Sequence, residues 1–154
     1  MDNELSKKIE NEAIELFKSG YICAEAVSKV VLSKMNFDVN KICGVATGFG
    51  GGIARQGQTC GALTGGVISI GAVINDGFRK PDQEEIKEKV YNKVEGLFNN
   101  FEKEFGSTIC HNLVNCDFTT EEGLRKFSED NIGSRICSPI VGWTAKETLK
   151  MLEE

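Results

Sequence analysis

Six cysteines stand in this chain of 154 residues, and the placement of four of them bears on sulfur chemistry. Cys23, Cys60, Cys110 and Cys137 each fall within the first turn of a helix that the apolar spacing predicts, or one residue before it. Each also extends the apolar stripe of its helix: Cys23 with Val27 and Val30, Cys60 with Leu63 and Val67, Cys110 with Leu113 and Val114, Cys137 with Val141 and Ala145. Residues three and four apart share a helical face, so all four sulfurs are expected to point inward. A helix N-terminus carries unpaired N–H groups and partial positive charge. Both favour thiolate, the form that attacks disulfides and ligates metals. Burial pushes the other way, and a dipole contribution of about 0.3 to 1 kcal/mol does not offset deep burial. Thiolates here therefore need a metal, a cluster or each other's covalent bond. Cys60, Cys23, Cys110 and Cys137 are the candidates for redox catalysis and, equally, for metal ligation.

The four are separated by 37, 50 and 27 residues, with no C-x2-C pair. Structural zinc sites usually draw ligands in close pairs, and ferredoxin-type cluster motifs contain short repeats. Neither pattern is present, although ligands from four separate helices can still meet. A redox disulfide needs only two of them, with Cα atoms about 4.4 to 6.8 Å apart. Cys43, beside Ile42 and Ala46, reads as a packing residue, and Cys116 has no assigned role. His111, the only histidine, directly follows Cys110. Helical neighbours diverge, so the two make no nucleophile–base pair, and His111 is expected to be an exposed helix residue.

The stretch GGGIARQGQTCGALTGG, Gly50 to Gly66, surrounds Cys60 with glycines. A phosphate loop would need G-x-x-x-x-G-K-[ST], and a dinucleotide loop G-x-G-x-x-G after a strand; both motif and context fail, so no nucleotide is indicated. Part of the run is a helix stop with positive-φ positions. A second use is close backbone approach to Cys60, with amides turned toward negative sulfur. Gly50, Gly51, Gly52 and Gly61 are the candidates for contact with a bound cofactor, and Arg55 can add a fixed positive charge.

Alternating β-branched runs are missing and apolar residues recur at helical spacing, so the fold expected is all-α: a compact bundle of about six to eight helices around a central glycine-rich apolar helix. The predicted helices are Asn3 to Ser19, stopped by Gly20; Ile22 to Met35; Val39 to Thr47, capped by Asp38; Cys60 to Ile74, capped by Thr59; Pro81 to Phe105; a short one reaching Val114, capped by Ser107; Thr120 to Glu129, capped by Thr119 or Thr120; and Pro139 to Leu152, capped by Ser138. The fourth carries no charge from Cys60 to Ile74. It falls short of the roughly 20 residues that a bilayer core demands, so it is read as the buried centre of the bundle, with Gly61, Gly65 and Ser69 admitting neighbours closely. The fifth presents Ile86, Val90, Val94, Leu97, Phe98, Phe101 and Phe105 as a core face.

No linker, repeat or low-complexity tract divides the chain, so residues 1–154 are read as one domain, large enough to bury a core without disulfides. The net charge of −5 and the scattered basic residues leave no footprint for a nucleic acid. The charged N-terminus lacks the apolar region of a secretory signal, and a cytoplasmic location follows as an expectation. There ordinary cysteines stay reduced, so six of them call for a reason other than a disulfide scaffold.

The residues CGALTG (Cys60 to Gly65), ICAEAV around Cys23, GFGGGIAR before the motif, and the later cysteines in TICHNL and RICSPIV together resemble the redox-active protein family named after its cysteine pattern, C_GCAxxG_C_C. The resemblance covers nearly the full chain. It puts the family cysteines on Cys23, Cys60, Cys110 and Cys137 and leaves Cys43 and Cys116 as extras. It implies redox activity inferred from those cysteines. Members are often encoded near transporters, which implies a transporter-linked function, and a related domain is similar to part of split-Soret cytochromes, which favours an iron–sulfur reading. The chain has no C-x-x-C-H, so covalent haem is not indicated.

The first functional reading is a redox-active protein whose converging cysteines transfer electrons, through an iron–sulfur or other metal centre or through a thiol/disulfide couple, exchanging them with an electron donor or acceptor that the sequence does not name. The alternative is a metal-binding accessory or sensor protein without turnover. A helical interaction domain whose cysteines merely pack is disfavoured, because four cysteines at four helix starts are a poor use of a packing residue. Whether the chain is an oxidoreductase in its own right is left open, as is its oligomeric state, with a homodimer as one option.

Overall fold

The computed structural model describes residues 1–39, 42–76 and 78–154, apart from the Cys43 side chain. The packing reading of Cys43 and residues 40–41 of the predicted third helix therefore lie outside the described residues, and the later part of that expected helix is 3-10 rather than α. Among the described residues the chain forms seven α-helices and no strand: α1 (Asn3–Lys18), α2 (Cys23–Lys34), α3 (Gly61–Ile74), α4 (Glu84–Phe105), α5 (Cys110–Val114), α6 (Glu121–Glu129) and α7 (Ser138–Glu153). A 3-10 segment, Cys43–Phe49, precedes the glycine run, and a π-helical turn, Gly133–Cys137, leads into α7. The all-α expectation holds.

Local chemistry explains most of the boundaries. Asp2 caps α1, its Oδ1 accepting from the Leu5 amide at 2.7 Å. The Ile22 amide donates to the Glu25 carboxylate at 3.0 Å, tying down the start of α2. Gly106 ends α4 at φ 79°, a left-handed stop that glycine takes without Cβ strain. Thr120 caps α6 through the Gly123 amide, at 3.0 Å.

The core forms around α3, which packs against α2, α4 and α7, while α1 closes over α7 and α2. Ile9, Val27, Val31, Leu63, Ile70, Leu97, Phe101 and Val141 are fully buried in it or nearly so. Each such side chain contributes on the order of 1.5 to 3 kcal/mol by leaving water. The small residues of α3 permit this closeness, since a Cβ on Gly65 would come within 2.6 Å of the Ala24 carbonyl oxygen on α2. A second, smaller core gathers Cys110, Val114, Cys116 and Ile132, with Phe118 and Phe127 edge-on beside it at 5.1 Å.

Several expected boundaries shift. Cys60 itself, not Thr59, is the N-cap residue of α3; Thr59 instead forms an isolated antiparallel bridge with Ile109. Ser107 does not cap α5, whose N-cap is Ile109; its Oγ accepts from the Ile109 amide one turn earlier. Pro81 lies in a turn before α4. Ser138 does not cap α7, because the π-helical turn feeds continuous helical backbone into it, and the buried Ser138 Oγ has no hydrogen-bond partner among the described residues. Phe98, placed on the core stripe of α4, is 40% exposed, because Leu97 and Phe101 already take the buried arc. Among the described residues no helix is long and apolar enough to cross a membrane.

Candidate functional site

Cys23, Cys60, Cys110 and Cys137 all line one cavity of about 570 Å³. Three sit where a helix begins: Cys23 is the first residue of α2, Cys60 the N-cap of α3 and Cys110 the first residue of α5. Cys137 stands one residue before α7, as expected, but the π-helical turn runs through it and the next amide, Ser138 N–H, donates to the Gly133 carbonyl, so it contributes no free helix start. The five cysteines whose side chains are described are free thiols.

The strands of contact between these cysteines are backbone ones. The loop before α3 pairs with the segment before α5: the Cys60 amide donates to the Thr108 carbonyl at 2.8 Å, and the Cys110 amide to the Gln58 carbonyl at 2.7 Å. This short ladder holds Cys60 and Cys110 side by side. Gly61 brings in the third, since a Cβ there would fall on the Cys23 sulfur. A larger residue at 61 would push α2 and its cysteine away.

The glycine run does more than stop a helix. Gly51 and Gly52 take φ of 65° and 67°, and the left-handed path continues through Ile53, Ala54 and Arg55 at 65°, 46° and 68°. Residues with a Cβ rarely adopt this region, at a cost of roughly 1 to 2 kcal/mol each. Hydrogen bonds hold the path in place: Ala54 N–H to Gly48 O, Gly57 N–H to Gly51 O and Gln58 N–H to Gly52 O, all between 2.9 and 3.0 Å. Strain of this kind persists only where surrounding structure fixes it, and it concentrates at functional sites. The sequence signalled two of these five positions through glycine; the other three carry ordinary side chains and gave no sign.

Of the cofactor-contact candidates, Gly50, Gly51, Gly61 and Arg55 line the cavity. Gly52 stands one layer behind it. There a Cβ would come within 2.7 Å of the Cys110 Cβ and 2.6 Å of the Gln58 amide nitrogen, so its role is close packing of the loop on α5. Arg55 is exposed at the cavity edge. His111 is exposed, with Nδ1 3.0 Å from the Cys116 carbonyl, and takes no part in the cavity.

The electrostatics oppose one another. Burial pushes the Cys60 thiol well above its ordinary pKa, with the neighbouring Cys23 and Cys110 adding to it, while the Ala62 and Leu63 amides at the start of α3 pull it down. Cys23 is raised by burial too, against the amides of Gly51 and Ala24. Burial and the other sulfurs push Cys110 and Cys137 up to about 12. Backbone amides lower Cys23 and Cys60, none lowers Cys110 or Cys137, and burial outweighs them all. Cys116, which sequence reasoning left without a role, stands close enough to Cys110 and Cys137 to raise both, yet does not line the cavity.

Four soft thiol donors facing one space are a set that iron–sulfur clusters and thiophilic ions accept. Among the described residues no three Cys, His, Asp or Glu side chains converge on one ion.

Comparison with known proteins agrees with the motif. A protein of Archaeoglobus fulgidus, named only "Uncharacterized protein", is 29% identical to this chain, with 98% of this chain and 97% of that protein covered. No solved structure matches it significantly. A family described as "Putative redox-active protein (C_GCAxxG_C_C)" matches residues 21–151, a span that contains all four cavity cysteines and the strained turn between the first two. The chain belongs to this C_GCAxxG_C_C redox-active family.

Proposed function

We propose that this protein is an electron carrier whose Cys23, Cys60, Cys110 and Cys137 hold an iron–sulfur cluster in the shared cavity. The observation that carries the reading is the convergence of four cysteines, distant in sequence, on the lining of one space. When bound, such a cluster supplies reversible one-electron transfer. The chain's own residues do the rest. The amides of Gly51, Ala24, Ala62 and Leu63 face sulfur and favour its anionic form. The apolar walls formed by Ile22, Val114 and Ile140 keep water from the sulfurs, and the hydrogen-bonded left-handed turn keeps the Gly51 amide aimed at Cys23.

The raised thiol pKa values favour this form over a metal-free thiol/disulfide couple. Exchange needs a thiolate near neutral pH, and burial withholds it here, whereas bound cationic iron displaces the proton from a coordinating thiol outright.

The test is to produce the full chain without oxygen and measure iron, acid-labile sulfide and visible absorption before and after dithionite. Brown protein with matched iron and sulfide and a reversible bleach is the expected result. Colourless, iron-free protein that loses two thiols on mild oxidation would replace the cluster with a disulfide couple.

A further inference from the structure

The cysteines make up only part of the cavity lining. Much of the rest is aromatic and aliphatic, with Phe17, Tyr21, Phe118, Leu124 and Phe127 among the lining side chains. Two of these spend surface on water at the mouth, Tyr21 being 38% and Leu124 41% exposed. A chamber of about 570 Å³ lies inside the range of about 300 to 1,000 Å³ typical of small-molecule pockets, which is more room than sulfur ligation requires.

Among the described residues Arg55 is the only charged residue in the lining, and its guanidinium meets no carboxylate. A Cβ on Gly51 would come within 3.1 Å of the Arg55 Cγ, so the stem of Arg55 lies folded over the turn that lines the cavity. Outside the lining, the Lys29 Nζ stands 5.3 Å from the centre of the Tyr21 ring. The nearest acid on α2, Glu25, is already held by the Thr47 hydroxyl at 2.5 Å and the Ile22 amide at 3.0 Å.

From this arrangement we infer that this chamber is a binding site for a small aromatic acid, its ring system between the Phe17–Tyr21 and Leu124–Phe127 walls and its anionic group on Arg55. Flat rings gain from offset and edge-on contact with aromatic walls, and a guanidinium pairs a carboxylate through two parallel hydrogen bonds. The ligand's other edge would then face the cysteines. The inference rests on the reading that this cavity is the functional site, and it does not depend on iron being there.

Calorimetric titration of the full chain with 2-naphthoate tests it, with iron content recorded and with 2-naphthylmethanol as the uncharged comparison. The expected result is saturable one-to-one binding of naphthoate, at least tenfold weaker binding of the alcohol, and at least a fivefold loss of naphthoate affinity in Arg55→Gln. Arg55 and Leu124 are exposed, so Arg55→Gln and Leu124→Glu should fold, which far-ultraviolet dichroism checks; Leu124→Glu should also weaken naphthoate. No binding, equal binding of acid and alcohol, or undiminished binding by Arg55→Gln would each overturn the inference. Naphthoate binding by iron-free protein would leave the inference standing while the cluster fails, and brown protein that ignores naphthoate would do the reverse.

Discussion

The space that a Cβ would occupy on Gly61 is taken by the sulfur of Cys23. That single contact joins α2 to α3 in the cavity lining and makes the absence of a side chain at 61 a condition for the four-cysteine arrangement. The Phe49 carbonyl oxygen, 2.8 Å from the same point, closes the other way out.

Gly61→Ala is therefore expected to destabilise the fold by about 1 to 3 kcal/mol, the usual cost of forcing atoms into a packed interior, and to reduce bound iron. Urea denaturation and iron analysis of the variant measure the two effects. A variant as stable and as iron-rich as the parent would show that α2 can retreat freely, and the close contact would lose its importance.

Opposite signs are expected along the left-handed turn. Ala54 sits at φ 46°, where its Cβ is strained, so Ala54→Gly should raise stability by about 1 kcal/mol through relief of that strain. Gly52→Ala should lower it by more than that, since its Cβ would meet both Gln58 and Cys110. Comparing denaturation midpoints of the two variants decides the matter. Destabilisation by Ala54→Gly would mean that the turn is not strained in solution.

Cysteine substitutions should divide by whether the side chain faces the cavity. Serine at 23, 60, 110 or 137 is expected to lower iron content at least severalfold, because those four line the space and ligand loss weakens binding directly. Cys116→Ser should leave iron content unchanged, its sulfur being turned into the second core and toward the Val114 carbonyl at 3.3 Å. If Cys116→Ser empties the protein of iron, the ligand set has been assigned to the wrong sulfurs.

Thiols raised by burial make the iron-free protein sensitive to alkali. A thiol whose folded pKa lies above its unfolded value holds its proton longer when folded, so its contribution to stability is complete below the unfolded pKa and fades as pH climbs toward the folded one. With Cys110 and Cys137 pushed up to about 12 and Cys23 and Cys60 raised as well, the iron-free chain should lose stability as pH rises from about 9 toward 12. Serine at 110 and 137 together should flatten that decline. A stability profile level through this window would place these sulfurs in contact with water.

Helix content, the central position of α3 and the inward direction of four cysteines were legible in the sequence, because helical spacing of apolar residues reports burial whatever the rest of the chain does. Position along the helices was legible for Cys23, Cys60 and Cys110. For Cys137 the position just before α7 was legible, but the free start was not, since the π-helical turn supplies helical backbone from Gly133 onward. Proline at 139 lacks only an N–H, and such a loss is as compatible with a π-to-α junction as with a true N-terminus.

The residues themselves determined that this chain is helical, that its sulfurs avoid water and that glycine surrounds one of them. Those properties follow from local propensity and from the free energy of burial, which each segment carries with it. Tertiary structure alone decided that the sulfurs share one cavity, that burial outweighs the helix starts in setting their protonation, and that Ile53, Ala54 and Arg55 follow two glycines into left-handed backbone. These depend on which atoms from distant segments fill the same space. The cost of a strained residue or a buried thiol is met by neighbours that spacing along the chain does not specify.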